Sequence, residues 1–282
     1  MGKRQRQKST STKPSAHQPS ASSTSSAENH RKPDTFPPSL LRGYRYYHDG
    51  AAPEIEALVP NAVFIARHAL SSKECRDWID HAERQKWTEV NHPANRYIAH
   101  RQCGRIQRDD WEMATRLYQR IAMIVDQVSP QLGVFDKASL NTHQRRGVDG
   151  GKLTYKPVTC NPNLRLYKYE KGMWFGRHVD GSDEIKITPE CPISDVSDAQ
   201  TEITVLFYLS SCQGGATRFH LPHAGGKRKG RGESSVAFTP EEGAVLLHVH
   251  GDRCLEHEAE PVLSGAKYVL RTDIVYGISK TS

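Results

Sequence analysis

The 282 residues of this chain, 36% of them apolar, suffice for a buried core, and no run approaches the roughly 18 to 20 apolar residues of a membrane span. Most of the net charge of +7 lies in residues 1–36, where seven Lys or Arg face only Glu28 and Asp34, so the remainder is nearly neutral. Six irregularly spaced cysteines with no Cys-x-x-Cys pair argue against a zinc-finger framework. With no apolar secretory stretch behind the first residues, they read as reduced thiols in the cytosol, the nucleus or both.

Residues 1–36 are rich in Ser, Thr, Pro, Lys and Gln and almost lack large apolar side chains. They cannot bury enough surface to offset the entropy of ordering, so a disordered basic tail is expected. It could attract nucleic acid or an import receptor, or simply be solvated. One domain then spans residues 37–282, with helical support in 37–150 and a β core over about 158–279. Residues 62–66 read as a short strand. Ser71 and Glu74 fit a capping box, and Cys75, Trp78, Ile79 and Ala82 recur at helical spacing behind it.

A second helix starts near Asp109 or Asp110, carries Ala114, Leu117, Ile121, Val125 and Val128 on one face, and ends by Pro130. Between the helices, residues 95–105 hold Arg96, Arg101 and Arg105, as the border of a cleft or as a solvated loop. From residue 163 the strand candidates are 163–169, 202–209, 244–250 and 267–276, separated by Gly- and Pro-bearing turns. The fold class is α+β, mainly β, a double-sheet jelly roll with supporting N-terminal helices. Two polar inserts, 181–200 and 220–233, interrupt it, and the second carries the basic cluster 227–231, a steering patch or a solvated loop.

The chemistry centres on His178-Val-Asp180. On an extended strand the two side chains point to the same side. With one distant His they could hold ferrous iron on one face of its octahedron and leave three sites open. Among fourteen histidines accidental pairs abound, and His248-x-His250 is a rival pair on one strand face.

Four segments decide between them by resemblance. Residues 163–180, with Tyr169, Gly172 and Phe175 leading to His178 and Asp180, resemble the prolyl 4-hydroxylase-like branch of the iron(II)/2-oxoglutarate oxygenases. So do Tyr208 with Gly214-Gly215-Ala-Thr217-Arg-Phe219, residues 240–247, and His257 with Pro261-Val262, Gly265 and Lys267. The resemblance implies a double-stranded β-helix and a metal site of His178, Asp180 and His257. It also implies oxygenation of a C–H bond by dioxygen, most simply hydroxylation, coupled to decarboxylation of 2-oxoglutarate to succinate. A protein side chain is the leading substrate, and ascorbate the accessory reductant.

The far carboxylate of 2-oxoglutarate needs a buried cation. Lys267 and Arg271 share one strand face. The resemblance places the role on Lys267, which follows His257 by the family's ten-residue step. Arg271 has the better fork for a carboxylate, but it could instead pair with Asp273 or reach the substrate. Tyr169 is expected to donate to the same carboxylate, and Tyr208 is a weaker candidate. Two other classes stay open: an oxygenase or demethylase acting on nucleic acid through the basic loop, and a non-catalytic metal-binding interaction protein.

Overall fold

The computed structural model describes residues 35–41, 54–96, 98–134, 153–187, 191, 193, 196–222 and 234–280. Residues 1–34 of the basic tail and the basic cluster 227–231 lie outside the described residues.

Among the described residues, the N-terminal part holds the two expected helices and also four strands. A hairpin, β1 (Ile55–Val59) and β2 (Val63–Ala66), precedes α1 (Ser72–Glu83). Ser71 caps α1: its hydroxyl accepts from the Glu74 amide at 3.2 Å, while the Glu74 carboxylate accepts from the Ser71 amide at 2.9 Å. A second hairpin, β3 (Thr88–His92) and β4 (Arg101–Asp109), leads into α2 (Trp111–Val128). Asp110 caps α2 by accepting from the Met113 amide at 2.9 Å. The expected stripe of α2 is buried throughout. Arg120 donates from this helix to Glu74 at 2.7 Å and ties the two helices together.

The remainder is β: β5 (Leu153–Cys160), β6 (Asn163–Tyr169), β7 (Phe175–His178), β8 (Val196–Tyr208), β9 (Gln213–Gly214), β10 (Thr217–His220), β11 (Ser235–Phe238), β12 (Val245–Val249), β13 (His257–Ala259), β14 (Val262–Ser264) and β15 (Lys267–Lys280). Eight of them form two four-stranded arrays, β12-β8-β15-β6 and β7-β13-β10-β11. The chain crosses between the arrays as it advances, which makes a double-stranded β-helix. β4 lies along β6 and touches β7 at the pair Arg101 and Phe175, joining the two arrays.

Alternation along the strands separates core from cavity. On β8, Ile203, Val205 and Phe207 join the helices in the main core, while Thr204 and Leu206 face the cavity between the arrays. On β15, Leu270 and Ile274 join the core, and Lys267, Val269 and Arg271 face the cavity.

Three expectations change. Residues 101–105 of the segment 95–105 are not a loop, because β4 begins at Arg101 and hydrogen-bonds into the sheet. β8 begins at Val196, so the first polar insert is shorter than its composition implies. β5, unforeseen, pairs with the outer half of β15.

Candidate metal centre

His178 is the last residue of β7, and His257, the first of β13, is its direct cross-strand partner. Asp180 lies two residues beyond the end of β7 yet still turns to the same side. Its Oδ1 is 3.7 Å from His178 Nε2 and its Oδ2 is 3.7 Å from His257 Nε2. The three candidate ligand atoms all lie within 4.8 Å of one another. His178 Nδ1 is 2.8 Å from the Gly176 carbonyl and His257 Nδ1 is 2.9 Å from that of Leu255. A carbonyl only accepts, so each Nδ1 carries the proton and each Nε2 presents its lone pair to the centre. Burial, reinforced by the neighbouring His257, pushes the His178 pKa down to about 3, and burial lowers that of His257 as well. Both rings are therefore neutral at neutral pH, as ligation requires.

Asp180 is surrounded by donors. Thr204 Oγ1 donates to its Oδ2 at 3.0 Å, and Arg271 approaches the same oxygen at 3.1 Å. Burial opposes ionisation of this carboxyl, but Arg271 and the nearby histidines outweigh it and hold the pKa well below the usual range. Arg271 continues to Asp273 at 3.5 Å, and Asp273 is held by Arg165 at 2.8 Å.

The other side of the cavity differs. Lys267 is 2% exposed, and its Nζ donates to the Gly215 carbonyl at 2.7 Å and to Thr217 Oγ1 at 3.4 Å. No carboxylate forms an ion pair with it among the described residues, and burial pulls its pKa down to about 8. The Tyr169 ring lies 5.6 Å from its Nζ.

Residues 164–272 match the model of the 2OG-Fe(II) oxygenase superfamily. This segment is a 2-oxoglutarate/iron(II) oxygenase domain. The whole chain is similar to a viral collagen prolyl hydroxylase from Paramecium bursaria Chlorella virus-1, solved as a 2OG complex (15% identity, 81% of this chain, 98% of that one, TM-score 0.37). It is likewise similar to a Pseudomonas putida prolyl-4-hydroxylase (16%, 78% and 94%, 0.40). A third similar structure is a Trichoplax adhaerens prolyl hydroxylase in complex with a hypoxia inducible factor oxygen degradation domain peptide fragment (16%, 77% and 85%, 0.42). No curated protein matches the chain.

Iron(II) and 2-oxoglutarate are the cofactor and co-substrate of the oxygenase, and the donor set fits them: two neutral imidazoles, one ionised carboxylate and a buried cation awaiting an anion. The structure brings all the expected site residues, Tyr169, His178, Asp180, His257, Lys267 and Arg271, to one cavity. Arg165 is taken up in its pair with Asp273, and the Tyr208 hydroxyl in a 2.8 Å bond to Thr217. Of the rival pair, His248 does reach the cavity, with Nε2 3.6 Å from Asp180. His250 meets Thr204 instead, at 3.0 Å. Sequence reasoning overlooked Thr204, which alternation on β8 could have revealed, and the contact of Arg271 with Asp180, which no local signal carries.

Proposed function

We propose that the oxygenase hydroxylates a C–H bond, on a protein side chain, at a centre held by His178, Asp180 and His257. The convergence of these three groups, with both Nδ1 protons already committed to carbonyls, is the observation that carries the reading. Iron and 2-oxoglutarate, when bound, would supply the oxidation with dioxygen as the oxidant, one oxygen atom entering the substrate and the other the succinate that forms, with loss of CO2, from 2-oxoglutarate.

The chain's own residues prepare that chemistry. Lys267 holds the far carboxylate of 2-oxoglutarate, and the Tyr169 hydroxyl donates to the same group. Arg271 and Thr204 fix the carboxylate of Asp180 so that one oxygen stays turned toward the histidines. Leu206, Val269 and Ala259 give the cavity apolar walls that exclude water. The choice of a protein side chain, like that of ascorbate as reductant, rests on the resemblance of residues 163–180 to the prolyl hydroxylase branch.

The test is succinate formation together with iron content, in wild type and in the variants His178→Ala and His257→Ala. Each variant is expected to lose bound iron and to lower succinate formation at least a hundredfold. Full turnover in both variants would refute the site.

A further inference from the structure

We propose that Arg101 anchors a carboxylate of the primary substrate, so that the molecule oxygenated is an acid. The proposal rests on the iron centre and Lys267 subsite described above. It adds a class of substrate to them.

Arg101 reaches the cavity from outside the eight core strands, at the single place where β4 meets β7. Its guanidinium carbon lies 4.5 Å from the centroid of the Tyr167 ring and 4.4 Å from that of Phe175. Two ring faces fix the plane of the group and satisfy part of its charge. The groups that bear on it most are Tyr167, Tyr169 and Cys103, which also hydrogen-bond to it and none of which is a carboxylate, and its Nε is buried without a hydrogen-bond partner among the described residues. Phe175 in turn stacks on His178, with 3.7 Å between ring centroids. One aromatic ring therefore separates this cation from a metal ligand.

The charges of the cavity point to what is missing. Arg271 is matched by Asp180 and Asp273. Glu258 is matched by His220 at 3.0 Å and Arg177 at 3.8 Å. Lys267 would be matched by the far carboxylate of 2-oxoglutarate. Among the described residues Arg101 is then left over, a largely buried cation beside the reacting centre. A carboxylate cancels one such charge and fits the planar fork of a guanidinium. A phosphate monoester carries about −1.5 to −2 and would leave an excess. An Asp or Glu side chain of a protein and a free small acid present the same group.

The experiment uses the full chain loaded anaerobically with iron(II) and 2-oxoglutarate. Two fluorescein-labelled peptide pools, one with a fixed Glu and one with Gln in its place, are compared by anisotropy. The Glu pool should bind at least tenfold more tightly than the Gln pool. That preference should vanish in Arg101→Gln and survive in part in Arg101→Lys, with 2-oxoglutarate affinity changed less than twofold and Tm little altered.

N-acetylglutamate distinguishes the sources, since competition with the Glu pool indicates a free acid and its failure to compete indicates an acid carried on a peptide. Equal binding of the two pools would overturn the proposal, as would a preference that persists in Arg101→Gln. A tenfold loss of 2-oxoglutarate affinity in Arg101→Gln would also overturn it by assigning the cation to the co-substrate, and Arg101-dependent binding of an oligonucleotide in place of the Glu pool would do so too. If neither iron nor 2-oxoglutarate binds while the Glu preference still depends on Arg101, the metal reading fails and the carboxylate subsite stands.

Discussion

The two ends of the cavity treat charge in opposite ways. At the ligand end, Asp180 is already engaged by Arg271 and Thr204, and Arg271 is shared with Asp273. Elsewhere in the cavity, Lys267 meets a carbonyl, a hydroxyl and two tyrosine rings, and Arg101 meets tyrosines, Phe175 and a thiol, with no carboxylate on either among the described residues. A buried charge that the chain has satisfied serves structure, whereas one it has left unsatisfied is a place for a ligand. The same charge type on one strand face thus has two roles, four residues apart.

The sharpest way to break this comparison is to exchange the two cations of β15 for apolar groups. Arg271→Met should cost about 3–5 kcal/mol of stability, because it takes the cation away from the buried carboxylate of Asp180, while Asp273 keeps Arg165. Urea denaturation of the metal-free protein measures this. Lys267→Met should disturb stability far less and instead raise the KM for 2-oxoglutarate about 10- to 100-fold, the worth of a charge-assisted contact of roughly 1.5–3 kcal/mol. If the two variants exchange phenotypes, the assignment is reversed.

That pair also shows where sequence ceased to suffice. Alternation placed Lys267 and Arg271 on one face, and the ten-residue step from His257 separated their roles only by resemblance. What distinguishes them physically is Asp180, ninety-one residues before Arg271 in the numbering and brought to it by the crossing of the two arrays. His178, Asp180 and the helix stripe of α2 were legible because their signals are local: a two-residue alternation, a cap and a 3.6-residue period. Arg101 was not. Gly104 interrupts the strand pattern of residues 101–109, where its Cα faces the Trp87 ring so closely that a Cβ would lie 3.2 Å from it. The role of Arg101 depends on pairing with β6 and β7, sixty or more residues away.

A smaller effect is expected from pH. The Lys267 ammonium faces Tyr169, Tyr208, Thr217 and the Gly215 carbonyl, with Cys212 and Glu260 as the charges that raise its pKa against burial. Only the protonated form binds a carboxylate. Affinity for 2-oxoglutarate should therefore be full below about pH 8 and decline as pH rises through that value. Lys267→Arg should remove this dependence, and KM measured between pH 6.5 and 9.5 checks it. The smallest effect belongs to Tyr169→Phe, which deletes one hydroxyl and should raise the same KM roughly 2- to 10-fold. No change in KM would return Tyr169 to a packing role.

The most direct test of the account is calorimetric titration of 2-oxoglutarate into the anaerobic protein, with and without iron(II), for wild type and Lys267→Met. The account predicts tight binding only when iron is present, weakened at least tenfold in the variant. Equal binding with and without iron, or equal binding by the two proteins, would contradict it.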